Sequence, residues 1–359
     1  MSRRRAQRML APALKPTARW IVAALAVLGG VAGAGCGSSP VSSSSVASAS
    51  STGSSSSSSS TGGSTGTSGA TTGTSSGPAL PGTGKPQVTI GDKNYTEQFV
   101  LGELYRLALE AQGYSVQLNQ NIGPTDVTLQ ALKSGTLAMY PEYLNAFNSS
   151  VAGYSRTFRS RDSAYAAAQR YAGAHGLHLL GPTPFSDTVA IGVTVGYAQA
   201  NRLRSLSDLP RVSSALTIGG PPQFQQSTPG LPSIERAYGF TSAAFKTIAV
   251  GSQYAALDDG SVQAAYMGTT DGQLASGDYK LLDDPGNVFG WGNVVPVVSA
   301  SAAAAEGPAF TATIERISAL LTISVMRQLN QAVDVANQDP AVVAQQFLET
   351  HGVIPPAPQ

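Results

Sequence analysis

Lys93, Gln98, Glu142 and Tyr143 are the side chains in this sequence whose spacing suggests a binding site. Lys93 follows the short apolar run Val88–Gly91, and Gln98 stands five residues on. About forty residues later a second apolar run leads into Tyr140-Pro141-Glu142-Tyr143. A cation, carboxylates and aromatic rings at the ends of two strands can line a cleft for a small polar molecule. No metal chemistry is indicated. His175, His178 and His351 show no ligand spacing, and the single cysteine lies far from them. Serine hydrolysis is disfavoured too, because no nucleophile-elbow motif falls on a strand–turn–helix pattern.

The elements that must position these residues alternate between strand and helix, which predicts an α/β fold. Val88–Gly91 reads as a strand, and Thr96–Gln112 as a helix with Phe99, Val100, Leu104, Leu107 and Ala111 at helical spacing. Asn94 or Thr96 is the expected cap, and Gly113 the expected stop. Strands follow at 116–118 and 137–140, and the second of these ends abruptly in the YPEY segment. A helix is expected over 159–174 and strands at 189–195, 216–218, 246–250, 262–267 and 294–299. Helices are expected at 125–134, 232–238 and 253–258. Three helices close the chain at 308–321, 323–337 and 340–350. No internal repeat is visible in the folded part.

Before this body lies a segment of different composition. Residues 1–19 hold Arg3, Arg4, Arg5, Arg8, Lys15 and Arg19 and no acid, and Trp20–Ala32 is apolar. A run of about thirteen residues is too short to span a bilayer but suits a signal-peptide core. Small residues precede Cys36, the one cysteine, which therefore has no partner for an internal disulfide. The arrangement resembles a bacterial lipoprotein signal, with Gly33 in place of the usual leucine. That resemblance implies lipidation at Cys36 and a membrane anchor. Residues 37–84 are mainly Ser, Gly, Thr, Ala and Pro and carry no charge. Such a segment cannot bury enough apolar area to offset its ordering entropy, so a disordered tether is expected. Its reach would be on the order of 40 Å. Loss of the leader removes six cations, so the net charge falls from +1 to about −5. An acidic body argues against nucleic-acid binding.

Chain order suggests a signal peptide over 1–35, a tether over 36–85, a first lobe built from 86–188 plus 294–355, and an inserted second lobe over 189–293. Two lobes joined by two crossovers can close around a ligand.

Several motifs carry a specific resemblance. IGDKNYTEQFVLGELY, GPTDVTLQALKSGTLAMYPEY, LLGPTPFSDTVAIGV, TIGGPPQFQ, TTDGQL and VDVANQDPAVVAQQFL occur in this order and cover nearly all of 86–355. Together they resemble the osmoprotectant (glycine betaine, choline and carnitine) substrate-binding proteins of ABC transporters. The resemblance implies a two-lobed periplasmic-binding-protein fold of type II, a non-enzymatic role without cofactor, a quaternary-ammonium or zwitterionic solute, and delivery to ABC permease subunits. A monomer is expected. A ligand sensor on the same fold, working with a signalling partner, is the alternative.

A quaternary ammonium donates no hydrogen bond, so aromatic faces hold it by cation–π attraction of about 0.5–2 kcal/mol per ring. Its carboxylate, where present, needs a cation or hydroxyl. By the resemblance, Lys93 would reach that carboxylate, and Tyr143 would be a cage ring. Gln98 would sit beside the helix start, and Asp187 and Thr188 would border the pocket on the hinge side. Tyr266 and Trp291 are further candidates from nearby positions. Asp271 is expected to brace the TTDG turn, and Tyr254 to be structural. The chain departs from the family pattern at Leu144, Val189, Ser227, Gly268 and Gly292, where a threonine, aromatics or an arginine are usual. A ligand other than plain glycine betaine is therefore expected.

Overall fold

A computed structural model describes residues 79–356. The leader, Cys36 and most of the tether fall outside the described residues.

Two five-stranded sheets form the framework. The first contains β1 (Val88–Gly91), β2 (Val116–Asn119), β3 (Met139–Tyr143) and β4 (Leu177–Leu179), together with β10 (Val294–Ser299). The second contains β5 (Val189–Thr194), β6 (Thr217–Gly220), β7 (Ala244–Thr247), β8 (Ala264–Gly268) and β9 (Tyr279–Leu281). The orders are β2-β1-β3-β10-β4 and β7-β6-β8-β5-β9. In each sheet three parallel strands are followed by an antiparallel strand contributed from across the chain, then by an antiparallel edge strand. The two lobes thus repeat one topology, although no sequence repeat betrays it. Strand pairing needs alternation and burial rather than a particular residue order, so the same plan can be written in unrelated residues.

The helix Thr96–Glu110 buries Val100, Leu101, Leu104 and Ala108 against β1 and the C-terminal helices Pro308–Leu320 and Pro340–Thr350. Its N-cap is Tyr95, with extended backbone and no side-chain cap. Neither Asn94 nor Thr96 caps it. Gln98 reaches back instead, its Oε1 accepting the Lys93 N–H at 3.4 Å.

The sequence reading ended the strand at Tyr140, but all of Met139–Tyr143 is buried strand. Two prolines explain how this is tolerated. Pro141 lies opposite Pro296 on β10. The Leu180 N–H donates to the Pro296 carbonyl at 3.0 Å, so Pro296 turns its backbone polar groups toward β4. The Pro141–Pro296 pair therefore needs no mutual hydrogen bond. On the other side, pairing of β3 with β1 is limited to Met139, so Pro141 leaves no ladder bond unmade there.

Other boundaries shift as well. The strand expected over 246–250 is Ala244–Thr247, because its register follows β6 through Thr217↔Ala244. The expected helix over 323–337 changes to a wider π-type turn at Gln331–Val335. The short strands β4 and β9 and the helices Val195–Asn201 and Ala300–Glu306 were not anticipated. They are short, and much of each has no amphipathic period to read.

Two segments cross between the sheets, one before β5 and one before β10. They are joined by an antiparallel bridge between Ser186 and Asn293. The Asp187 N–H donates to the Gly292 carbonyl at 3.0 Å, and the Gly292 N–H donates to the Ser186 hydroxyl at 3.0 Å. Asn293 is buried and donates to the carbonyls of Thr183 and Phe185. A side chain at position 292 has no room, since a Cβ there would stand 1.7 Å from the Asp187 carbonyl oxygen.

Candidate functional site

A cleft of about 670 Å³ lies between the two sheets. Its walls come from the ends of β1 and β3 on one side and of β5 and β8 on the other. This is where ligands bind in open α/β sheets, because successive loops leave a crevice beyond the strand ends.

The first wall is built around Lys93. It is 4 % exposed, and its ammonium is engaged by Glu142 and donates to the Thr125 hydroxyl at 2.8 Å. Glu142 is buried near the end of β3 and also accepts the Tyr143 N–H at 2.7 Å. The Lys93 ammonium lies 5.5 Å from the centre of the Tyr143 ring. Tyr143 donates its hydroxyl proton to Glu97 Oε1 at 2.7 Å, and the Tyr95 ring packs 5.8 Å away at a tilt of 31°.

Glu97 links this wall to the end of the chain. Its Oε2 accepts from Asn330 Nδ2 at 2.9 Å, and Asn330 Nδ2 also donates to the Thr270 carbonyl at 2.9 Å. Burial pushes the Glu97 carboxyl above its ordinary range, against the opposing hydrogen bonds from Thr270, Tyr143 and Asn330.

The second wall carries Asp187, Thr188, Val189, Tyr266, Gly268 and Asp271. Thr188 is fixed through its backbone, donating to the Thr269 hydroxyl at 2.9 Å, and Thr269 in turn donates to the Ser186 carbonyl at 2.7 Å. The Tyr266 ring meets Phe224 edge-on at 5.3 Å. Asp271 Oδ2 accepts the Tyr254 hydroxyl at 2.6 Å and Gln253 Nε2 at 3.4 Å. Burial raises the Asp271 carboxyl, and burial with the Glu97 charge holds Asp187 well above the usual carboxylate range.

The structure thus brings Lys93, Tyr143, Asp187, Thr188 and Tyr266 to one cleft. Gln98 lies behind the lining, fully buried at the start of its helix. Trp291 lies elsewhere, between cavities of about 490 and 760 Å³, with its indole N–H on the Phe158 carbonyl at 3.1 Å. Sequence reasoning missed Tyr95, Glu97, Asn330 and Asp334 as lining residues and favoured a bracing role for Asp271 over a place in the lining. Tyr95 and Glu97 stand between Lys93 and Gln98, a signal that was available. Asn330 comes from a helix 233 residues away from Glu97, and nothing local announces it.

The electrostatic balance of the cleft is one-sided. Glu97, Asp187, Asp271 and Asp334 line it, and Lys93, the only cationic side chain among the described lining residues, is already paired. Among the described residues no group of His, Cys, Asp and Glu is arranged to hold a metal ion. Three tyrosines and four carboxylates suit a small organic cation, through ring faces and charge together.

Comparison with known proteins agrees with this geometry. Residues 86–350 match the family described as the substrate binding domain of an ABC-type glycine betaine transport system. The glycine-betaine-binding protein of Pseudomonas aeruginosa is 30% identical over 278 residues, covering 74% of this chain and 88% of that protein. The glycine betaine-binding protein YehZ of Escherichia coli is 29% identical over 286 residues, covering 76% and 93%. A crystal structure described as a glycine betaine/carnitine/choline ABC transporter superposes with a TM-score of 0.70 at 24% identity, covering 74% of this chain and 99% of that one. Its likeness is one of fold.

Proposed function

Since the chain belongs to the family of substrate-binding domains of ABC-type glycine betaine transport systems, we propose that it captures a small organic cation in the cleft between its lobes and delivers it to an ABC permease. One observation carries the choice of a cation: the cleft gathers four carboxylates and three tyrosines, and its single lysine is bound to Glu142. A ligand carboxylate would find no free cation there. A glycine betaine mode in which Lys93 neutralises the carboxylate would first require breaking a buried ion pair.

In this reading Lys93 and Gln98 build the first wall without meeting a ligand charge. Tyr95, Tyr143 and Tyr266 supply ring faces, and Glu97, Asp187 and Asp271 supply negative charge. Thr188 holds the hinge side, and Trp291 stays outside. The lobes would be 86–188 with 294–355, and 189–293. They would close about the paired crossover segments at Ser186 and Asn293. The leader would export the chain, and lipidation at Cys36 would hold it outside the cytoplasm on its tether.

Isothermal titration with choline, carnitine and glycine betaine tests the reading. Choline, which has no carboxylate, is expected to bind more tightly than glycine betaine by tenfold or more. Tighter binding of glycine betaine would overturn the assignment of Lys93 to Glu142 in the working protein.

A further inference from the structure

A second cavity, of about 760 Å³, adjoins the cleft. Asn145 and Ala146, which follow closely on Tyr143, line both spaces. Asn145 turns its Oδ1 back to accept the Ala146 N–H at 2.7 Å, and Ala146 offers only a methyl group. The boundary between the two spaces therefore carries little side-chain bulk.

The two spaces differ in charge. The cleft has its four carboxylates and a lysine that is already paired. The second cavity has one charged side chain among its described lining residues, Arg156, and no acid. Arg156 is exposed and forms no ion pair among the described residues. Its guanidinium lies 5.6 Å from the centre of the Tyr154 ring and 4.9 Å from that of Phe158. Ring faces hold a guanidinium by its charge and leave its paired N–H donors for an anion. Phe289 and Trp291 extend the apolar wall of the same cavity.

We propose that the ligand is a long zwitterion: its cation sits in the cleft, an apolar chain passes Asn145 and Ala146, and a terminal anionic group pairs with Arg156 in the second cavity. The inference rests on the cleft being the cation site proposed above, and it names the rest of the molecule. A short zwitterion such as glycine betaine has to keep its carboxylate close to its nitrogen, among the four carboxylates of the cleft. Like charges repel there, and the repulsion weakens as the anion moves away. A longer chain carries the anion to a cavity without acids and to an unpaired guanidinium. A carboxylate meets that guanidinium through charge-assisted hydrogen bonds, which are the stronger kind. The rings of Tyr154, Phe158 and Trp291 offer apolar surface to the chain between the two charges.

The test is a length series on the full chain by calorimetry. The probes are glycine betaine and the butanoic, hexanoic and octanoic acids that carry trimethylammonium on the terminal carbon. Choline and hexyltrimethylammonium serve as cations without an anion. The best of the longer zwitterions is expected to bind at least about tenfold more tightly than glycine betaine, and more tightly than hexyltrimethylammonium. In Arg156→Gln the ratio of its affinity to that of choline is expected to fall about tenfold, whereas Arg156→Lys, which keeps the charge, should retain most of the ratio. Affinity that declines steadily with length while choline still binds would overturn the inference and leave the cation site standing. A ratio unchanged in Arg156→Gln would overturn the assignment of the anion to Arg156. Absence of binding by every probe, choline included, would overturn both readings.

Discussion

Lys93 and Glu142 form a buried ion pair between the loop after β1 and the end of β3, with the ammonium 5 % and the carboxylate 0 % exposed. The pair joins two neighbouring strand ends and occupies the one cationic side chain among the described residues lining the cleft. Removing either partner strands the other charge away from water. Lys93→Met is expected to destabilise the fold by about 3–5 kcal/mol, as breaking buried pairs does. Adding Glu142→Leu to it should recover most of that loss. Urea unfolding of the two single variants and the double variant reads the coupling, and additive losses would show that the pair is not formed in solution.

Asp92 lies next in sequence to Lys93, is fully buried, and has one carboxylate oxygen without a partner. Burial raises its carboxyl from 3.8 to about 7, the Asn121 N–H opposing and Glu103 adding to the rise. The folded state therefore holds this proton more tightly than the unfolded chain. Its contribution to stability is full below about pH 4 and is lost as pH rises through about 7. Asp92→Asn is expected to flatten this fall between pH 5 and pH 8 by on the order of 2–4 kcal/mol. Unfolding curves at several pH values check it, and an unchanged slope would place the pH dependence elsewhere.

Ligand capture should itself depend on pH. Glu97, Asp187 and Asp271 are all raised by burial, and each raises or feels the charge of another. Around them stand the hydroxyls of Tyr143 and Tyr254, the carboxylate of Asp334 and the guanidinium of Arg327. A cation favours the ionised carboxylates, so its binding expels protons, and affinity must fall as pH is lowered through the raised values. Calorimetry in buffers of different ionisation enthalpy should reveal proton release. Binding with no proton exchange would mean that the acids are already ionised in the empty cleft.

Two glycines make opposite predictions. At Gly292 a methyl group would meet backbone, 1.7 Å from the Asp187 carbonyl oxygen. Gly292→Ala is expected to cost about 3 kcal/mol by forcing the crossover segments apart. At Gly268 the obstacle is the Asp271 side chain at 2.5 Å, which can rotate away. Gly268→Ala should fold with near-normal stability and bind cations more weakly. Thermal melts and titrations of the two variants separate the cases. A stable Gly292→Ala protein would contradict the close approach of the two segments.

Much of the fold was legible in the sequence because its signals are local. Val88–Gly91 and Val189–Thr194 are strands with no proline inside them, and Pro340–Thr350 has a proline at its first position and apolar pairs four residues apart. The YPEY segment was misjudged for a non-local reason. Proline within a run argues against a central strand, and only the facing Pro296 makes that position acceptable.

By itself the sequence determined the alternation of strands and helices, the charge of the body and the motifs that mark its family. It also offered Lys93 and Tyr143 as neighbours of a cleft. The tertiary structure alone decided what those residues are free to do. Whether a lysine can meet a ligand depends on where Glu142 sits, and whether Asp271 lines the cleft or merely braces a turn depends on the space left at Gly268. Pairing and desolvation are properties of contacts between distant segments. A linear pattern records each partner without recording that they meet.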